Sequence, residues 1–222
     1  MMNFAFLRPA MACVMMVGLA ACGGSSTVDT PVTVNPAVIP EPSEPTIADA
    51  STSGQRASAT DLLTTWAPTN PPTYTALGMI PTTGGADYEG YVFGELSNSS
   101  DDITDSVIGS LTLEATFSGG GAGFTGNARD FVDSDDADLD GRLTVSGGAL
   151  YRDGSPASDA TVRGVNVAGT LTDDANRALV FGFGLEGDFL GGAYNAIGGE
   201  ALGRVTVDGV IQNFDGGFIA ER

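Results

Sequence analysis

From Ala86 to Arg222 apolar and polar residues alternate in short runs, each bounded by glycine, asparagine or aspartate. Successive side chains of a strand point to opposite faces, so a period of two marks strands with one buried face. The runs cover residues 88–96, 107–117, 121–131, 141–151, 161–172, 177–191, 197–209 and 213–222, with no amphipathic helical pattern between them. Strands at such even spacing fit a sandwich or a barrel. Glycine decides for the barrel: the chain holds 32, many inside the runs, as in VFGFGLEG and IGGEALG. Glycine weakens a flat sheet but permits the bends and close backbone contacts of a tightly coiled one, and closure removes exposed edges. The expected fold is all-β: an eight-stranded antiparallel soluble β-barrel over residues 86–222, filled by its own side chains or holding at most a small ligand. A barrel that crosses a membrane needs an apolar outer band on every strand, and Arg142, Arg163 and Arg204 interrupt the pattern.

The N-terminus gives an address. MMNFAFLRPAMACVMMVGLAAC has one cation, Arg8, then an apolar run from about Ala10 to Ala21, then Cys22. The run is too short for a spanning helix, which needs about 20 apolar residues. It has the form of a secretory signal over residues 1–21. Leu19-Ala20-Ala21-Cys22 has the pattern of a bacterial lipobox, whose cysteine receives diacylglycerol before the signal is cut away. Cys22 is therefore the expected lipid-attachment residue, and membrane attachment runs through acyl chains, each buried methylene contributing about 0.8 kcal/mol. Gly23 rather than Asp follows it, which favours the outer membrane. Cys13 leaves with the signal and Cys22 carries lipid, so no internal disulfide is expected.

Residues 22–58 are rich in proline and polar residues without a period, and read as a disordered stalk. Residues 59–85 read as an irregular lead-in holding the only tryptophan, Trp66, which is expected to pack in the core or as a lid rather than serve as a ligand platform.

The formal charge is −19, and the chain contains neither histidine nor lysine. Such a surface repels phosphate backbones, so nucleic acid is excluded as a partner. Without histidine there is no Ser-His-Asp or Cys-His arrangement, and without lysine no Schiff base or Ser-Lys pair. A His/Cys zinc site cannot be built. Carboxylates alone remain as acid–base candidates, and they cluster in turn-like pairs such as Asp101-Asp102 and Asp173-Asp174. The expectation is no catalytic residues, no cofactor and no enzyme activity. FSGGGAGFTGNA, residues 117–128, lacks the helix and lysine of a nucleotide loop and reads as a hairpin connection.

DSDDADLDG, Asp133 to Gly141, raises the question of calcium. Asp136, Asp138, Asp140 and Gly141 fit positions 1, 3, 5 and 6 of an EF-hand loop, and Leu143 fits position 8. Position 12 requires a bidentate glutamate and is here Gly147, and the following residues alternate like a strand. The segment is expected to be an acidic hairpin loop, with no metal site assigned.

Three stretches resemble a known family. GMIPTTGGADYEGYVFGEL, with Tyr88 and Gly90, resembles the opening of the lipoprotein barrel of transferrin-binding protein B and its relatives. FLGGAYNAIGGEALG resembles a glycine-aromatic segment of the same family: Phe189, Gly191, Gly198 and Gly199 match, while Leu190, Gly192, Tyr194 and Ala196 depart. GGFIAER resembles its terminal strand through Phe218, Ala220 and Arg222. The resemblance covers about residues 78–222 and implies a single-barrel surface lipoprotein with interior aromatics and glycines where backbones crowd. Family members bind host proteins. This chain has one barrel and no handle domain, so no particular ligand is implied.

The expectation is thus a non-catalytic binding module on the outer membrane, contacting an extracellular protein or small ligand through loop tips. Asp133 to Asp140 and Ser97 to Asp105 are the candidate contact loops. The alternative is a structural envelope lipoprotein with a periplasm-facing barrel and no captured ligand. An aromatic patch on the loops would separate the two, and the sequence has none there.

Overall fold

The computed structural model describes residues 52–66, 73–119, 121–151 and 156–222. The signal, Cys22 and the stalk as far as residue 51 lie outside the described residues. Eight strands follow in sequence: β1 (Gly84–Ser97), β2 (Ile103–Ser118), β3 (Gly121–Val132), β4 (Asp138–Tyr151), β5 (Thr161–Thr172), β6 (Ala178–Leu190), β7 (Ala196–Val207) and β8 (Val210–Glu221). Each pairs antiparallel with its sequence neighbour. Strand β8 returns to β1, from Glu89 opposite Glu221 to Ser97 opposite Asn213, and the sheet closes. The eight-stranded antiparallel barrel read from the alternation is the fold.

Several strands run further than their apolar pattern. Ile103–Ser106 belong to β2 and Asp138–Asp140 to β4, although the sequence reading placed both segments in loops. Ladder hydrogen bonds need only backbone, so polar residues extend a strand wherever its neighbour is in register.

Every second residue points inward. At one end of the interior Phe131, Phe181, Phe183 and Phe214 pack together, with the Phe183 and Phe214 ring centroids 4.6 Å apart. At the other end Phe189 meets Tyr88, Phe117 and Phe124 at 6.0, 6.2 and 6.4 Å. Val92, Leu111, Leu143, Val145 and Val167, each at most 1 % exposed, are interior aliphatics of the same core. The interior is built as a packed core.

The closing seam shows why glycine is required. A Cβ on Gly90 would collide with the Ile219 carbonyl oxygen, and one on Gly216 with that of Phe93. These are backbone atoms of the partner strand, so no rotamer change relieves the clash. Tyr88, Phe189 and Phe218 are buried in the core, and Gly198 and Gly199 crowd neighbouring strands.

One element differs from the sequence reading. Helix α1 (Thr52–Trp66) crosses the expected boundary between stalk and lead-in at residues 58 and 59. Gln55, Ala59, Leu62 and Trp66 recur at intervals of four, three and four, which places them on one helical face. That face is narrow and two of its four residues are Gln and Ala, so the apolar signal is faint. The helix lies on the outside of the barrel, where Ala59 packs with Tyr91, Phe93, Ile108 and Val132. Leu62 and Trp66 pack with Leu190, Ala196 and Ile219, and the Trp66 indole donates to Glu221 Oε2 at 3.0 Å. Trp66 is a packing residue, as expected. Among the described residues of the lead-in, 73–83 are irregular: Tyr74 bridges Leu190 and Ala76 bridges Asp159 around a 3-10 turn at Leu77–Met79.

Candidate functional site: an acidic hairpin end

The meander sends four connections to the same end of the barrel: residues 98–102, 133–137, 173–177 and 208–209. Three of them share one construction. The first residue, Asn98, Asp133 or Asp173, accepts backbone N–H bonds on its side-chain oxygen from the residues two and four places later. The fourth residue, Asp101, Asp136 or Asn176, takes the left-handed conformation with φ of 61°, 65° and 59°. The first and fifth residues close the loop by a backbone bond of 3.0, 3.0 and 3.2 Å. Asn and Asp suit both positions, since their short side chains bond to nearby backbone and tolerate positive φ. The fourth connection, Asp208-Gly209, is a two-residue turn with φ of 50° and 79°.

Turn chemistry therefore explains much of the acidity. Asp133 organises its own loop, Asp136 supplies the left-handed residue, and Asp138 and Asp140 already belong to β4. The aspartates of DADLDG are strung along a turn and a strand. Gly147, at position 12 of the calcium pattern, sits within β4 at φ 82°, paired with Phe124 and Val165. No group of three or more His, Cys, Asp or Glu among the described residues is arranged to hold a metal ion.

The loops are joined. The Ser134 hydroxyl donates to Asp105 Oδ1 at 2.7 Å, and Ser106 N–H donates to the same oxygen at 2.7 Å. The Thr104 hydroxyl reaches Leu96 O and Gln212 Oε1, linking the starts of β2 and β8. The two candidate contact segments thus meet, although Ser97–Asp105 contracts to a loop of 98–102. The 173–177 loop and the 208–209 turn, not named beforehand as contact loops, complete the end. Their signal was present: NSSDD, DSDDA and DDANR repeat Asn or Asp at the first place and again at the fourth.

Asp101, Asp102, Asp135, Asp136, Asp174 and Asp208 are exposed on this end. Arg177 is a cation among them. Its Nε lies 2.6 Å from Asp173 Oδ2, and its guanidinium is raised first by that bond and then by Asp173, Asp208 and Asp105 charges. The Asp173 carboxyl is held low, chiefly by the Arg177 backbone N–H and then by the Arg177 side chain, against some desolvation. The end is a preorganised negative surface, with the exposed Arg177 paired to Asp173 within it.

The opposite end differs. The Tyr88 hydroxyl donates to Tyr194 O at 3.0 Å, and burial pushes its ionisation far above the usual phenol range. Arg222 stacks over the Tyr194 ring, 4.9 Å from its centroid. On the outer face nearby, the Thr161 hydroxyl donates to Asp188 Oδ1 at 2.6 Å. Burial raises the Asp188 carboxyl and the Asp159 charge raises it further, against the Thr161 bond and Arg163. Burial and both carboxylates raise Tyr74.

No family model matches the chain, and no curated protein and no solved structure matches it.

Proposed function

We propose that the chain is an outer-membrane lipoprotein, attached through Cys22, whose barrel is a non-catalytic binding module of the transferrin-binding-protein-like kind. The acidic hairpin end is its contact surface, and the partner is an extracellular protein or small ligand presenting a cationic face. The observation that carries this reading is the convergence of exposed aspartates on four hairpins at one end of the barrel, three of which have backbones fixed by their own first side chain. Preorganised loops lose little entropy on binding, and an exposed field of one sign steers partners of the other. The packed interior supports an external rather than an enclosed site. The lipobox supports the anchor.

A second reading, a structural envelope lipoprotein with a periplasm-facing barrel, is favoured by one observation. The tips at 98–102, 133–137, 173–177 and 208–209 carry no aromatic residue, the type that anchors most protein interfaces.

Protease treatment of intact cells, with a C-terminal epitope on the barrel and a periplasmic control, separates the two. Loss of the epitope with the control spared supports the surface module. Protection until the outer membrane is permeabilised sinks external capture and supports the structural reading. A Cys22→Ala chain that fractionates away from membranes supports the anchor, and one that stays refutes it.

A further inference from the structure

Helix α1 lies on the outside of a closed barrel, and its seat is imperfect. Its sequence, TSGQRASATDLLTTW, contains one glycine and four threonines, all weak helix formers, with no acid in the first turn and no base in the last. Among its described side chains only Gln55 and Ala59 are fully buried, and Leu63 is 36 % exposed. A cleft of about 210 Å³ remains between helix and barrel, lined by Arg56, Ala59, Thr60, Leu63, Phe93 and Ile108. Two buried oxygens have no hydrogen-bond partner: Gln55 Oε1 on the helix, and Ser110 Oγ on β2, two residues along the same face from Ile108. Side-chain bonds fasten the element at its ends: Gln55 Nε2 to Asp130 O at 2.7 Å, Arg56 to Ser106 Oγ at 2.9 Å, and Trp66 to Glu221.

Those bonds also fix its direction. Asp130 and Ser106 lie at the ends of β3 and β2 that face the acidic hairpins. Glu221 and Gly191, which flank Trp66, lie at the other end. The helix thus spans about 22 Å along the barrel wall. While it is docked, the chain enters the barrel domain beside the acidic hairpins. If it lifts away, Thr73 is the first described residue still bonded to the barrel, its carbonyl accepting from Gly191 N–H at the far end.

We infer that α1 is a releasable strap that sets which end of the barrel the upstream chain departs from. Docked, it brings that chain to the acidic end and covers the Tyr91, Phe93, Ile108, Val132 and Ile219 strip. Released, it moves the departure point to the far end, clears the acidic hairpins and bares the strip, while the barrel stays closed. The inference holds whether or not Cys22 carries lipid, and it does not depend on what the hairpins bind.

Trypsin reads the release directly, because the chain has arginine but no lysine. Arg56 is in α1, whereas Arg129, Arg142, Arg163 and Arg204 are in strands. Cleavage needs local unwinding, so its rate follows the opening of each element. In the native full chain, cleavage after Arg56 is expected at least tenfold faster than at the strand arginines. Ser110→Ala, which removes a buried unpartnered hydroxyl, should slow the Arg56 cut by roughly fivefold or more and leave the strand sites unchanged. Ala59→Asp should speed it while the barrel keeps its cooperative melting transition. Equal rates at Arg56 and the strand arginines would overturn the inference, because α1 would then leave only on global unfolding. So would an Ala59→Asp chain without a folded barrel, provided that the Ser110→Ala chain also shows the two classes of site cut together.

Discussion

The Ser134 hydroxyl donates to the Asp105 carboxylate across two hairpins, 29 residues apart in sequence and 2.7 Å apart in space. Asp105 also fixes Ser106 N–H, so one side chain registers the β3–β4 loop against the start of β2. Asp105→Ala should leave the melting temperature within a few degrees, since the Ser134 contact is exposed. It should sharply raise amide exchange at residues 133–137. Exchange confined to that loop supports the joint, and unchanged exchange refutes it.

The loop-forming aspartate should matter more than its exposed neighbours. Asp133→Ala removes two side-chain-to-backbone bonds and is expected to cost about 1 kcal/mol, whereas Asp135→Ala should be close to neutral. Denaturant unfolding of the two variants checks the ranking. Equal losses would mean that net charge, not turn geometry, governs this end.

Two carboxylates should give opposite pH signatures. The folded Asp188 carboxyl is raised above its usual 3.8, so its contribution is whole below that value and is lost as pH rises through the folded one. Asp188→Asn should therefore melt above the parent at neutral pH, with the gap closing in acid. Asp173 is lowered in the folded chain, so its contribution is present above 3.8 and disappears as pH falls through the folded value. Asp173→Asn should lose stability at neutral pH and converge with the parent in acid. Melting curves across pH test both signs.

Glycine position should decide substitution cost. Gly90→Ala drives a methyl into the backbone of β8 at the closing seam and should cost at least about 3 kcal/mol. Gly182 points outward with nothing within 4 Å of an added Cβ, so Gly182→Ala should be neutral or stabilise by about 0.5 kcal/mol. Calorimetry of the pair would refute the close-contact account if both lost the same amount.

Interior aromatics complete the series. Phe189→Ala removes a ring that touches three others and should cost about 3–5 kcal/mol. Tyr88→Phe keeps the ring and loses only the bond to Tyr194 O, about 0.5–1.5 kcal/mol. Urea unfolding midpoints distinguish the two sizes of loss.

The barrel was legible in the sequence because its signal is local: alternation states which residues face inward, and each turn of the acidic end contains its own Asx residue. Tyr88, Phe124, Phe189 and Phe214 could be assigned to the interior from parity alone. Helix α1 was not legible, since Gln55 and Ala59 become buried only through barrel residues far along the chain, such as Ile108 and Val132. The acidic end was half legible. DSDDA and NSSDD stood out by composition, but their contact depends on Asp105, and the inclusion of Asp173 and Asp208 depends on the meander bringing alternate turns to one side. The calcium pattern showed the reverse hazard, a spacing that matched while the backbone spread the carboxylates along a strand.

The pairing of β1 with β8 has a consequence for assembly. Seven of the eight ladders join neighbours in sequence and can form as soon as both partners emerge, whereas the last joins residues 89–97 to residues 213–221. Local hairpins form in microseconds, but a contact at that separation waits for the whole intervening chain. Until β8 arrives, β1 presents an open edge with unpaired backbone groups, the kind that recruits foreign strands. A chain stalled or cut within β8 is thus expected to be sticky rather than merely less stable, and the vulnerable interval ends only when the final strand seals the sheet.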